Sequence, residues 1–195
     1  AESSALDELD ASASERIQSL NGTWAFYYAA KPTDRLKNLV GYDAQWYWED
    51  WDTSDWDTME VPSNIQTQWD EDGQFRYEPP IYVNQIYPWL NYEAIQYGAQ
   101  GQPVAATAFN SVGHYKREFT LDEGLRNKHV FLRFEGVESA FYVYINGQQI
   151  GYSEDSYTPA EFNITPYLKD GTNTIAVEVY RWSDGSYFEN QDFIR

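Results

Sequence analysis

Cysteine is absent from this 195-residue chain, and with it go disulfides, zinc–thiolate sites and thiol nucleophiles. Histidine is nearly absent too, with two in all. Neither His114 nor His129 has a Ser, Cys or second His at an informative spacing, so the sequence assembles no catalytic triad and no zinc site. Positive charge is scarce: 13 Lys and Arg stand against 31 Asp and Glu, a formal net charge of −18 at pH 7. That charge repels phosphate backbones and anionic lipid instead of drawing counterions from them, which makes nucleic acid and membrane surfaces poor partners. It suits a neutral or cationic ligand, and equally an acidic proteome with no functional meaning. No apolar run reaches the length of a membrane span, and residues 1–15, acidic and rich in Ser and Ala, lack the basic and apolar regions of a signal peptide. Internal repeats, low-complexity tracts and a helix-rich half are also missing.

Aromatic side chains are abundant: 8 Trp, 17 Tyr and 10 Phe make up 18% of the residues. So many rings exceed what one core can enclose, and Tyr and Trp suit core edges, interfaces and carbohydrate sites, where a flat face is buried and a polar tip stays wet. The length fits one substantial domain. Residues 1–15 read as a flexible or short helical arm, with 16–195 as the domain. Trp24, Phe26 and Tyr28 alternate with Ala25 and Tyr27 at the period of a strand. Gly41 to Met59, where Trp46, Trp48, Trp51 and Trp56 are crowded by acids, reads as a loop or irregular surface turn. Val61-Pro62-Ser63-Asn64 reads as a strand end running into a turn, because Pro62 cannot donate to a central ladder. Residues 65–112 form a long excursion with no sustained period, and loops of that length in compact domains tend to be functional or disordered; the ring content here favours an ordered, functional one.

The second half alternates as antiparallel strands do. Tyr115 to Leu121, Val130 to Phe134, Ala140 to Ile145, Gln149 to Tyr152 and Thr174 to Tyr180 are rich in Val, Ile, Phe and Tyr. In the last of these Ile175, Val177 and Val179 share the inward face and Glu178 points outward. Asn146-Gly147 marks a tight hairpin, since a primed turn needs positive φ at both central residues. Glu161 to Ile164 reads as a short strand and Pro166 to Gly171 as a turn with 3₁₀ character. The pattern predicts an all-β sandwich.

Several stretches in order resemble the N-terminal domain of the β-galactosidases of glycoside hydrolase family 2. They are Ser19-Leu20-Asn21-Gly22-Thr23-Trp24-Ala25-Phe26, Val61-Pro62-Ser63-Asn64, Pro80-Ile81-Tyr82-Val83-Asn84-Gln85-Ile86-Tyr87-Pro88, Val137 to Tyr142, Asn146-Gly147 through Ser153, Ser156 to Phe162, and Arg181 to Arg195. The resemblance implies a jelly-roll β-sandwich, galactose-binding-domain-like, with long aromatic-rich loops. It implies a parent enzyme in which an immunoglobulin-like domain and a (β/α)₈ barrel follow, the barrel carrying the two catalytic glutamates of a retaining β-galactosidase, so that this chain by itself is expected to be inactive. It implies that Asn84 and Asp192 bind the substrate galactoside, that Asp192 is also a sodium ligand, and that the complete enzyme uses sodium and magnesium. It implies a cytoplasmic enzyme, leaving export and a homo-oligomer of the parent open. The autonomous carbohydrate-binding module, and the equivalent domain of a β-glucuronidase or β-mannosidase, are the alternatives.

Other residues have blander readings beside sharper ones. Asp184-Gly185 suits a cation ligand or an ordinary turn, and the turn is preferred. Trp182 is read as a core or interface residue before a sugar platform. The Trp46 to Asp57 cluster suggests calcium or sugar, but a solvated loop whose rings pack on the sandwich or on a neighbouring domain is the safer account. Glu78, Glu93, Glu135 and Glu138 sit among aromatics with nothing in the sequence to pair any two of them as a catalytic dyad.

Overall fold

The computed structural model describes residues 14–36, 45–81 and 109–189. Eight strands follow one another: β1 Gly22–Ala29, β2 Asp57–Val61, β3 Val112–Thr120, β4 Phe131–Phe134, β5 Ala140–Ile145, β6 Gln148–Glu154, β7 Ala160–Asn163 and β8 Thr172–Tyr180, with a single helical turn α1 at Ser186–Glu189. Six pair in the order β2-β1-β3-β8-β5-β6 and two in the order β4-β7. Every pairing is antiparallel. This is the all-β sandwich that the alternating pattern predicts, and the jelly roll that the resemblance implies.

The core lies between the two sheets. Ile175 and Val177 of β8, Val143 and Ile145 of β5, and Trp24 of β1 meet Leu132 and Ile164 from the side of the small sheet. Val179 packs partly buried against that cluster, as its period-two position requires. The β5–β6 hairpin turns at Asn146 and Gly147, with φ of 49° and 78°. The Asn146 side chain holds the turn from below, accepting the Thr174 N–H at 2.8 Å and donating to the Tyr167 carbonyl at 2.9 Å.

Three local readings are refined. The segment from Gly41 to Met59 is not loop throughout, because Asp57–Val61 pairs along β1, Met59 opposite Trp24. Its residues have little strand propensity; the pairing comes from the partner strand. Trp46, in a segment read as a loop or irregular surface turn, is buried with Tyr144 and Ala176 on the face of the large sheet turned away from the sandwich core, and Tyr47, Trp51 and Trp56 pack around it. Glu178 does point away from the core, as read, but it lies beneath that aromatic layer at 6% exposure, with Arg35 Nη1 3.2 Å from its Oε1.

Lys116 explains why the layer stays in place. Its ammonium reaches from β3 through the outer face and donates to the backbone carbonyls of Trp46, Trp48 and Trp51. The rings of the Trp/Asp-rich segment thus pack on the sandwich, in keeping with the blander reading. At the N-terminal side, residues 14–21 form no helix. Gln18 instead ties them to the body by donating to the Thr120 carbonyl and accepting the Asp122 N–H.

Candidate functional site

One end of the six-stranded sheet gathers the segments that matter. Ala29 lies opposite Val112, Val112 opposite Tyr180, Tyr180 opposite Ala140, and Ala140 opposite Glu154. The chain entering β3, the chain leaving β8, the turn before β5 and the turn after β6 therefore all sit along one rim. Asn84 and Asp192 themselves lie outside the described residues, as does Glu93. The described residues that lead into both stretches meet at this rim.

Glu78 is the node. Its carboxylate lies 2.7 Å from Arg181 Nη1 and accepts the Ser111 hydroxyl at 2.7 Å, the Gln66 amide at 2.6 Å and the Tyr28 hydroxyl at 3.3 Å. Both charged side chains are nearly enclosed, at 12% and 11% exposure. Burial, and after it the Glu78 charge, pushes the Tyr28 phenol up to about 12, so it stays a neutral donor at physiological pH. The neighbouring strand ends are laced by backbone bonds. Arg181 N–H donates to the Ser111 carbonyl at 3.0 Å, and the Asn110 side chain brackets Trp182, accepting its N–H at 3.0 Å and donating to its carbonyl at 3.1 Å. Trp182 is buried, with its indole N–H on the Phe109 carbonyl at 3.0 Å, which makes it a core residue as read.

The turn after Trp182 is equally tied down. Asp184 and Gly185 form the turn preferred from the sequence. The buried hydroxyls of Ser139, Ser183 and Ser186 sit 3.1 and 3.0 Å apart in a chain, and Glu189 at the end of α1 accepts the Ser156 hydroxyl at 2.8 Å. Glu154 lies close by. Burial first, then a hydrogen bond that protonated Glu154 gives to Asp184 and the charges of Asp184 and Glu189, hold its carboxyl above the usual carboxylate range, against a lowering contribution from the Tyr152 hydroxyl. Among the described residues no group of three His, Asp or Glu side chains has the arrangement to hold a metal ion.

Elsewhere the polar groups are committed. His114 is fully buried between the rings of Trp46 and Tyr27, at centroid distances of 4.7 and 5.6 Å, its Nε2 3.9 Å from Glu178. It belongs to the aromatic layer. An open groove of about 290 Å³ beside it, lined by Arg35, Tyr47, Tyr142 and Glu178 among others, has its acid and base paired with each other. No helix among the described residues is long and apolar enough to cross a membrane.

Sequence reasoning left Glu78 among the unpaired acids and passed over Arg181. No local signal joins them, since their segments meet only when β3 and β8 pair. The one hint was placement, Glu78 just ahead of the Pro80 to Pro88 stretch and Arg181 at the head of the last one.

The comparisons with known proteins agree with this architecture. A family model described as the sugar binding domain of glycosyl hydrolases family 2 matches residues 17–195. The chain is 46% identical over 186 residues to a β-galactosidase of Priestia megaterium (strain DSM 319 / IMG 1521), covering 95% of this chain and 16% of that protein. It is 40% identical over 187 residues to the β-galactosidase large subunit of Latilactobacillus sakei, covering 91% of this chain and 27% of that subunit. The chain thus spans less than a third of either relative. A solved Bifidobacterium dentium β-glucuronidase complexed with coumarin-3-O-glucuronide shares the fold, with a TM-score of 0.53 and 22% identity over 82% of this chain and 19% of that one. With a family model covering all but its first sixteen residues and relatives at this level of identity, the chain belongs to the sugar-binding domain family of the family 2 glycosyl hydrolases.

Proposed function

We propose that this chain is the sugar-binding domain of a retaining β-galactosidase that hydrolyses terminal β-D-galactosides such as lactose. The observation that carries the reading is the 46% identity to the Priestia megaterium β-galactosidase across 95% of this chain. In the proposal a (β/α)₈ barrel of the parent chain, beyond an immunoglobulin-like domain, supplies the two carboxyl groups, about 5 Å apart, that act as nucleophile and as acid/base. The jelly roll contributes position. Asn84 offers a donor and an acceptor to sugar hydroxyls, and Asp192 offers acceptors alone, which also suits a hard cation. Sodium at Asp192 and magnesium in the complete enzyme belong to the same proposal, as do a homo-oligomeric parent and a cytoplasmic location.

Each hydrogen bond of this kind contributes about 1 kcal/mol net, so the two side chains orient the sugar more than they hold it. Orientation counts in the transition state, where a misplaced glycosidic carbon costs rate. The reading is supported by the rim geometry, where Glu78, Ser111 and Arg181 tie together the described ends of both segments.

In the full-length enzyme, Asn84→Ala and Asp192→Asn are each expected to lower kcat/KM for a chromogenic β-galactoside by roughly 10- to 100-fold, the second with altered sodium dependence. Unchanged kinetics in both variants would remove the role assigned here. Turnover of a β-glucuronide in preference to the galactoside would favour the alternative substrate class.

A further inference from the structure

We infer that Glu78 and Arg181 are positioning residues for the sugar site: their buried ion pair sets the placement of the Asn84 segment against the Asp192 segment. The inference rests on the reading of Asn84 and Asp192 given above.

Three hydrogen-bond donors and one guanidinium converge on the Glu78 carboxylate, and each comes from a different piece of chain. Tyr28 is on β1, Gln66 is in the 65–67 turn, Ser111 is where the chain re-enters β3, and Arg181, paired by charge, is where it leaves β8. A carboxylate has about four lone-pair sites, so little of the acceptor is left open. Such a joint is a poor device for stability alone. Taking both charges from water costs nearly what their attraction returns, and an apolar pair of similar volume often does as well or better. What an ion pair adds is geometry, because a carboxylate facing a guanidinium admits few arrangements. Among the described residues, that geometry joins the chain that runs on to residue 84 to the chain that runs on to residue 192. Asn84 follows Glu78 by six residues in the sequence, and Arg181 opens the stretch that contains Asp192. Nearly enclosed, neither Glu78 nor Arg181 has a free face for a sugar, so they act through the residues they seat.

The test uses the full-length enzyme carrying Glu78→Gln together with Arg181→Met. The amide oxygen introduced by the first change still accepts from Ser111 and Gln66, and the thioether chain introduced by the second fills the space of the arginine stem without leaving a lone buried charge. The expected result is a thermal midpoint close to that of the unaltered enzyme, with kcat/KM for a chromogenic β-galactoside lowered about tenfold, chiefly through kcat. In an Asn84→Ala background the same pair of changes is expected to lower kcat/KM by a clearly smaller factor, as coupled sites do. Should the pair prevent folding, Arg181→Lys keeps the charge and loses the planar guanidinium; a loss of about threefold in kcat/KM at an unchanged thermal midpoint then supports the inference. Full activity in the folded variant, while Asn84→Ala and Asp192→Asn each lose activity, overturns the positioning role and leaves the site reading standing. Full activity in Asn84→Ala and Asp192→Asn as well overturns the site reading and the inference with it.

Discussion

Gly151 of β6 has no room for a methyl group. A Cβ built there would lie 2.2 Å from Cε1 of Phe162, the β7 ring that crosses it as the small sheet packs on the large one. Gly151→Ala is therefore expected to destabilise the chain by about 1–3 kcal/mol, as overpacking does, read from the urea midpoint, and Gly151→Ala with Phe162→Leu to recover part of it. Glu154 makes a prediction in pH. Its folded carboxyl is raised above the unfolded value of 4.5, so its contribution to stability is fully present below that pH and is lost as pH rises through the folded value. Glu154→Gln removes the titration. Thermal unfolding is expected to show the variant more stable than the unaltered chain at pH 7 and no more stable at pH 4.

At the scale of elements, the layer made by residues 45–56 depends on Lys116. Burial lowers the affinity of that ammonium for its proton, while Asp50, Glu118 and Glu49 oppose the effect. Its three carbonyl partners make the buried charge tolerable and in return fasten the segment to β3. Lys116→Met keeps the stem and removes the donors. It is expected to cost about 1–3 kcal/mol and to open residues 45–56 to protease, with cleavage mapped there by mass spectrometry. Lys169→Ala, which removes only the exposed pair with Glu49, serves as the comparison and is expected to cost less than about 1 kcal/mol. Equal protection of the segment in both variants would show that the aromatic packing alone holds it.

For the whole molecule, the β3–β8 pairing brings the end of the long 65–112 excursion and the chain beyond β8 to the same rim, and Gln66 at its start reaches that rim through Glu78. In the proposed function this jelly roll offers one wall of a pocket, and the relatives are several times longer than this chain. The isolated chain is accordingly expected to show no turnover of a chromogenic β-galactoside and no measurable heat on titration with millimolar galactose. Clear heat that disappears in Asn84→Ala would instead favour an autonomous carbohydrate-binding module.

Local pattern sufficed where structure is local. The period-two runs of Ala140 to Ile145 and Thr174 to Tyr180 and the Asn146-Gly147 turn state their strands and hairpin directly, because pleat and turn chemistry act over a few residues. The ordered motifs also pointed to the family that the family model matches, and it is the proposed function that assigns Asn84 and Asp192 to the sugar. The sequence could say that the rings near Trp46 pack on the sandwich but not where, because the burial of Trp46 depends on Tyr144 and Ala176, which β5 and β8 bring beneath it. Glu78 reads as one more acid for the same reason: its three donors and the Arg181 cation come together only in the folded chain, and nothing in the neighbouring sequence announces them. The sequence by itself determined the sandwich and its hairpins; the tertiary structure alone decided which charges would be buried together, since a buried ion pair exists only once long-range packing has excluded the water around it.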